Sequence, residues 1–541
     1  MQKELDFQEK EESTSWVTYV ILLLALTVYM LWPWVSGSLI PSMDLPAHLA
    51  LVEAMHHLEQ PGSLLAGKFA WGLFPAPNSM FYILTYGLSW IMPTMWAGRV
   101  VFVLAMLFLL VASLVFARSM GRNPWIAFAI LPFLGQWVLV EGFLDYYIGI
   151  AFLLLALASL HHYLKEPTIG RAVITGLLGV LVFFSHVQAF MFYGFLGGML
   201  FLLHAVYERY IEVEPTPWMS LIQRWSVSFV PCLLAVVAWF VATYSSLGGS
   251  TWKHSAKILF PSFGTRLTML FKHSILSFGK GQERVIVGLV MGLLLFRILM
   301  YWATERESHD WIRDSFLNLA LAIVLAVFFF APLNIGLYWN LYNRSALLLW
   351  VLVVCVLCPS GRIRSDVWGL VATLPIAITL SVSHLQWSNS FKKWNHYTQG
   401  FTEVLKQAPK NSHLFYVVEK ARPEVGTRTY LWRHLGQYHT VWNQGTTSYS
   451  FGLQPGRLIR EKHPIPHHKA KQYGRMVDLS KLERYGCYDV LLFSGAAKVE
   501  KRHPKRYTLI ARKHLWSLYQ VKPQGKCRKG NAPPSKDRPA R

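Results

Sequence analysis

The chain is 541 residues long, 53% hydrophobic and 15% charged, with a formal net charge of +23. A composition this apolar excludes a soluble protein of this size. Apolar runs of roughly 17–22 residues recur along it, each able to cross a bilayer as a helix, so the sequence predicts a polytopic α-helical membrane protein of about 11 transmembrane helices.

Residues 1–16 are polar and read as a cytoplasmic N-terminal tail. The run Val17–Trp34 is longer than a signal-peptide core and no small-residue cleavage site follows it, which makes it a retained first span. An external loop, 37–78, comes next. It carries Asp44, a short amphipathic helix pattern with His48, then Lys68 and the turn Pro75-Ala-Pro-Asn78. The apolar piece Met80–Met92 is too short to span and is stopped by Pro93, so it reads as re-entrant or surface-lying.

Spans are predicted over Arg99–Phe116, Trp125–Val140, Tyr146–Leu160, Ala172–Val187 and Phe190–Val206. Further spans follow over Val227–Tyr244, Val285–Trp302, Phe316–Phe330, Ala346–Cys358 and Val367–Val382. Basic residues gather in alternate connectors: Arg118 with Arg122, Lys165 with Arg171, and Arg209 with Arg224. If those connectors are cytoplasmic, the positive-inside rule is obeyed and Asp44, Glu141, Asp145, His186 and Gln188 all fall on the outer side. The loop 245–283 is external by the same alternation and holds Lys253, His254, Lys257, Arg266, Lys272, His273 and Lys280. Its segment 256–276 has the pattern of an amphipathic helix lying on the membrane surface. The stretch Pro332–Arg344 is external too.

These spans make a membrane domain over 17–384. A small external α/β domain is expected over 385–524, with buried strands at His413–Val418, Tyr488–Phe493 and Leu515–Val521 and a helix at Thr402–Gln407. A basic disordered tail, 525–541, ends the chain. From Leu385 onward there are 30 Lys and Arg against 9 Asp and Glu. That charge suits a solvated membrane-adjacent surface, or one that meets lipid headgroups or a phosphorylated substrate. No nucleic-acid motif accompanies it, so nucleic acid is not an expected partner. Cys232, Cys355 and Cys358 lie in apolar runs as packing residues, whereas Cys487 and Cys527 could pair in an oxidising compartment.

Asp44 precedes Leu-Pro-Ala-His48, a helix start, so its plain role is an N-cap. The same place at the water–lipid boundary suits a general base, and His48 one turn later can meet the same group or a phosphate. Asp145 heads an apolar run, where an acid is a cap or a functional group, and Glu141 lies just before it. His186 is flanked by Ser185 and Gln188, which fits either a hydrogen-bonded core histidine or the lining of a polar cavity. Arg344, at the start of a late span, can anchor at the interface or grip a phosphate with two parallel hydrogen bonds. A Walker loop, a Rossmann glycine signature, paired cysteine motifs and His-Glu-x-x-His are all missing, so ATP-driven and zinc-protease chemistry lack their residues.

The order of these features resembles the GT-C superfamily of membrane glycosyltransferases, particularly the protein-mannosyltransferase and aminoarabinose-transferase group. The resemblance rests on the acid-bearing first loop, Trp96-Ala-Gly-Arg-Val100 opening a span, Leu144-Asp145, Ser185-His-Val-Gln188 and the late Arg344. It implies a transferase in a bacterial inner membrane, with its site and C-terminal domain facing the periplasm. The donor would be a polyprenyl-phosphate-linked sugar and the acceptor a lipid, a glycan or a protein. Asp44 and Asp145 match the two loop acids and are the expected catalytic residues. His48, Lys68, Glu141, His186, Gln188 and Arg344 are the expected substrate-binding residues, with His186 standing where many members carry a lysine. The family's second acid after the first is replaced here by Leu-Pro-Ala-His48, which weakens the expectation of a divalent metal. Its Lys-Pro-Pro appears as Pro75-Ala-Pro-Asn78, leaving Lys68 as the substitute for the missing lysine. A transporter or flippase for lipid-linked sugars is the alternative from another class, but it predicts paired broken helices in two halves and no internal repeat is evident.

Overall fold

The structure is a computed structural model and describes residues 2–73, 76–211, 216–247, 258–274, 282–304, 310–335, 340–419, 430–447, 450–451, 458–462, 479 and 488–522. Pro75, Lys253, His254, Lys257, Lys280, Cys487, Cys527 and the basic end 525–541 lie outside the described residues.

The first half is helical. Gln2–Ser36 (α1) contains the first apolar run, and Leu45–His57 (α2) and Leu64–Lys68 (α3) lead into the short strand Phe69–Trp71 (β1). Met80–Leu88 (α4) and Thr94–Ser119 (α5) follow. The expected span 125–140 is not one helix. It is Ile126–Ile130 (α6), a tight turn at Leu131–Phe133, and Trp137–Glu141 (α7). Pro132 has no N–H to continue the ladder. Gly135 lies so close to the Trp387 ring that a Cβ there would be 2.0 Å from it. Both residues break the run, and the break aims α7 at the start of α2.

Leu144–Lys165 (α8), Ile169–Ser185 (α9), Val187–Tyr210 (α10) and Trp218–Leu247 (α11) come next. α8 is the central helix, packed by α5, α9 and α10. Helix association in lipid depends on close backbone approach more than on apolar burial. Gly176, Gly179 and Gly197 provide that approach to α11: a Cβ at Gly179 would be 2.4 Å from Cys232 Sγ, and one at Gly197 would be 2.9 Å from the Phe229 ring. Ile258–Leu259 (β2), Phe263–Ser274 (α12), Gln282–Ala303 (α13) and Trp311–Phe330 (α14) follow, then Asn334–Ile335 (β3), Leu341–Arg344 (α15), Ala346–Leu357 (α16) and Asp366–Tyr397 (α17). Among the described residues seven helices are long and apolar enough to cross a membrane, with four shorter apolar helices beside them. The outward faces of α9 and α11 carry Ile174, Leu177, Leu233, Leu234 and Val241, all exposed, which only a lipid surround makes favourable. The chain is an integral membrane protein.

The two ends of the bundle differ in chemistry. At one end the basic connectors pair with acids: Arg122 with Asp314 at 2.6 Å, Lys165 with Asp310 at 3.1 Å, and Arg224 with Glu208 at 2.9 Å. Asp44, Asp145, His186 and Arg344 lie at the opposite end.

α17 runs on to Tyr397, past the expected domain boundary at 385, and delivers the chain to a small α/β unit. This contains Phe401–Leu405 (α18), His413–Val418 (β4), Tyr438–Asn443 (α19), Thr446–Thr447 (β5), Ile459–Glu461 (β6), Val490–Ser494 (β7), Val499–Arg502 (α20), Tyr507–Lys513 (β8) and Trp516–Val521 (β9). Five strands form a mixed sheet in the order β5-β4-β7-β9-β8. β4 is parallel to β5 and β7, with Leu414 opposite Val490, and β9 is antiparallel to β7 and β8. β4 and β7 are covered on both faces, which is why they read as unbroken apolar runs. The unit is tied to the membrane helices through Tyr397, whose hydroxyl lies 3.0 Å from Ser494 Oγ and whose carbonyl accepts from Trp516 Nε1.

Candidate functional site

The chain just before α2 closes over the end of α7. Ser42 Oγ donates to Leu139 O at 2.8 Å, Met43 N–H to Val140 O at 2.8 Å, and Asp44 N–H to Glu141 O at 3.0 Å. Three consecutive helix-end carbonyls are thereby satisfied. Glu141 enters the site through that carbonyl. Gly142, which follows it, has φ +93°, and a Cβ there would be 2.8 Å from Asp44 Cβ and 2.9 Å from Asp44 N. Only glycine meets both requirements.

Asp44 occupies the N-cap position of α2, with Pro46 in the first turn, but its carboxylate accepts none of the first-turn N–H groups. The backbone carbonyl alone receives Ala47 and His48. The carboxylate is instead directed at the C-terminal unit, where His434 Nε2 lies 3.4 Å from Oδ1. One turn on, His48 Nε2 faces Gly142 O at 3.2 Å and Nδ1 faces the Tyr82 hydroxyl at 2.6 Å. A carbonyl can only accept, so in the neutral ring Nε2 carries the hydrogen and Nδ1 accepts from the tyrosine. The same imidazole packs edge-on against Phe451 from the C-terminal unit at 5.0 Å.

Asp145 is buried in the first turn of α8, and its Oδ1 accepts the backbone N–H of Phe81 at 2.8 Å. The N-cap of α4, Ser79, turns its own hydroxyl to Ala76 O, so a carboxylate from a different helix supplies the cap. That bond fixes α4 to α8. The turn before it is held at the other side, where Asn78 Oδ1 meets Val187 N–H at 3.4 Å and Ser79 N–H meets Phe184 O at 2.9 Å.

The break between α9 and α10 falls at His186, two residues before the gap at 188–189 that the spans left. Extended backbone there (φ −164°, ψ 131°) lets the side chain cap α10, with Gln188 N–H 3.1 Å from Nδ1. Arg344 Nη1 lies 3.0 Å from Nε2, and the guanidinium stacks on Phe143 with 3.8 Å to the ring centroid. Tyr146 meets the imidazole edge-on at 5.0 Å. Gln188 Nε2 donates to Leu341 O at 2.7 Å and holds α15, the helix that presents Arg344. Asp44, Gly142, Phe143, Asp145, Tyr146, His186, Gln188 and Arg344 therefore form one connected set, joined through the turn between α7 and α8.

Lys68 is not in that set. Its ammonium donates to Thr447 O at 2.7 Å and pairs with Glu461 at 3.3 Å, both in the C-terminal unit. Burial lowers its pKa, and the Glu461 carboxylate opposes the shift. The pair extends an antiparallel ladder of β1 with β6, in which Phe69 is opposite Glu461 and Trp71 opposite Ile459. The first loop and the C-terminal unit are thus one structure above the acids.

Sequence reasoning missed His434, Phe451 and Tyr82, which close round Asp44 and His48. None lies in a motif: Tyr82 arrives on α4, which Asp145 fixes, and His434 and Phe451 arrive with the C-terminal unit that the β1–β6 ladder fastens to the first loop. Arg266 is one of several cations in the 245–283 loop. In the structure its guanidinium donates to Phe328 O and Ala331 O at the end of α14 and covers the Tyr342 ring at 4.7 Å. Among the described residues no three His, Cys, Asp or Glu side chains cluster as a metal site.

The sequence matches no known family model and no curated protein. Among solved structures the chain is similar to ArnT from Cupriavidus metallidurans bound to undecaprenyl phosphate, with TM-score 0.51 and 11% identity over 94% of this chain and 99% of that one. It is also similar to the apo state of that protein, with TM-score 0.45 and 12% identity over 95% and 100% of the two chains. The likeness is one of overall fold, along nearly the whole of both chains.

Proposed function

We propose that this protein is a GT-C-type glycosyltransferase that moves a sugar from a polyprenyl-phosphate-linked donor to an acceptor hydroxyl at the outer face of the membrane, the periplasm of a bacterial cell. The observation that carries this reading is the surplus of hydrogen-bond donors at His186. A neutral imidazole has one acceptor nitrogen, yet the Gln188 N–H and Arg344 Nη1 both approach the ring. A phosphate oxygen beside Arg344 matches the fork of the guanidinium and leaves the ring nitrogen to Gln188. A fold shared with a protein bound to undecaprenyl phosphate supports a lipid-linked phosphate as the occupant.

In this reaction Asp44 takes the proton of the acceptor hydroxyl as its oxygen attacks the anomeric carbon. The bond from that carbon to the phosphate oxygen breaks on the opposite face, the lipid phosphate leaves with the electron pair, and configuration inverts. Arg344 and His186 stabilise the charge that develops on the phosphate. Asp145 keeps α4 and α8 in register, which holds Tyr82 and His48 against the turn that carries Asp44. The Lys68 contacts favour domain docking over phosphate binding.

The test is transfer from radiolabelled undecaprenyl-phospho-sugars to envelope acceptors by purified protein in proteoliposomes. Loss of a general base lowers rates by about 10²–10⁴, so Asp44→Asn is expected to lose at least about 10² of the rate with donor binding retained. Wild-type turnover in that variant removes the general-base role, and donor movement across the bilayer without transfer selects a flippase instead.

A further inference from the structure

The carboxylate of Asp44 makes no bond to the helix that carries it. Nothing in α2 sets its rotamer, although a general base must be held within a few tenths of an ångström of its line of action. The group that meets it comes from the C-terminal unit, whose His434 is almost fully buried and brings Nε2 to 3.4 Å from Oδ1. Three features hold that histidine over the acid. Phe451 packs edge-on against His434 at 5.4 Å and against His48 at 5.0 Å, bridging the unit and α2. The β1–β6 ladder and the Lys68–Glu461 pair fasten the same unit to the first loop. The short helical turn at Leu435–Gln437, next to His434, packs against α2.

We propose that His434 is a positioning residue for Asp44: the extramembrane unit donates an imidazole N–H to Oδ1, fixing the carboxylate so that Oδ2 takes the acceptor proton. Burial lowers the His434 pKa while Asp44 opposes the shift, so the ring donates in its neutral form. A hydrogen bond of this kind is long in the resting state and tightens as the reaction proceeds. The C-terminal unit becomes a working part of the transferase, since removing it removes the donor that orients the base. The inference rests on the general-base reading of Asp44.

His434→Phe and His434→Gln separate positioning from packing. A misplaced catalytic group costs about 10²-fold, so His434→Phe is expected to lower kcat by about that factor with KM for donor and acceptor within about twofold. His434→Gln, whose amide N–H reaches the same oxygen, is expected to recover most of the loss. In an Asp44→Ala background, His434→Phe is expected to change the residual rate no further. Wild-type kcat in His434→Phe, equal loss in both variants, or an undiminished effect in the Asp44→Ala background each overturns the proposal. If the wild-type protein transfers no sugar, the functional reading fails by itself. The pair is then read from unfolding temperatures of the intact protein in a double-mutant cycle of Asp44→Ala and His434→Phe: coupling supports it and strict additivity overturns it.

Discussion

Arg344 Nη1 stands 3.0 Å from His186 Nε2, across the break between α9 and α10. Arginine donates only, and the other nitrogen of the same ring already faces the Gln188 N–H. The imidazole can accept from one of them at a time. In the proposed reaction a phosphate oxygen matches the guanidinium fork while the side chain stays stacked on Phe143. The turn that supplies Phe143 also supplies Gly142, against which Asp44 rests. Asp44 and Arg344 are therefore positioned by adjacent residues of one turn.

Arg344→Lys keeps the charge and loses both the fork and the stacking surface. It is expected to raise the donor KM by about tenfold with a smaller change in kcat, since roughly 1.4 kcal/mol of ground-state phosphate binding disappears. Arg344→Ala is expected to lower kcat/KM by a further factor of about ten. Initial rates at varied donor concentration check both, and a donor KM unchanged in Arg344→Lys removes the bidentate phosphate contact.

Gly142→Ala tests the close approach beneath Asp44. The left-handed backbone alone costs about 1–3 kcal/mol for alanine, and the new Cβ is 2.8–3.1 Å from Asp44 atoms. The turn has to move, and the carboxylate with it. Transfer is expected to fall at least about tenfold, with a lower unfolding temperature. Gly198→Ala is the matched control, because a Cβ there meets nothing within 4 Å. If the two alanine variants have the same rate and unfolding temperature, the tight seat of Asp44 is unnecessary.

Lys68→Met leaves the Glu461 carboxylate buried beside Ser450 without its cation, and breaking a buried pair costs on the order of 3–5 kcal/mol. The loss should appear as undocking of the C-terminal unit from the first loop, read by proteolysis or hydrogen exchange at β1 and β6. Replacing both residues, Lys68→Met with Glu461→Gln, is expected to be milder than Lys68→Met alone, because no uncompensated charge remains. A double variant worse than the single one contradicts the pairing.

Period and composition carried most of the fold. The unbroken apolar runs of β4 and β7 are legible because both faces of those strands are covered, whereas β8 was not seen, its exposed positions carrying Arg512 and Lys513. The run 125–140 misled because its hydropathy is uniform while Pro132 and Gly135 break its backbone. Of the site, the acids and Arg344 stood out as charges at span ends. His434 and Phe451 did not, since they reach Asp44 and His48 through a ladder between segments almost 400 residues apart, 69–71 and 459–461. Lys68 was legible as a cation but not as a docking residue for the same reason.

The C-terminal sheet is expected to weaken in acid. His439, buried in α19, faces Ser412 O from Nε2 at 2.9 Å and Asn443 Nδ2 from Nδ1 at 3.2 Å, a fully bonded neutral ring. Burial pushes its pKa from 6.5 down to about 4, and burial lowers those of His413 and His434 as well. Between pH 6.5 and 4 the unfolded chain binds a proton there that the folded chain does not, so stability rises with pH across that window. The contribution is complete above pH 6.5 and lost as pH falls toward 4. For His439 alone it amounts to about 3 kcal/mol. Hydrogen exchange of the β4 and β7 amides, corrected for the intrinsic pH dependence, should show protection falling from pH 7 to pH 4.5. His439→Gln, which never charges, should flatten that fall. Protection that stays constant over this range, or that falls equally in the variant, removes the histidine as its cause.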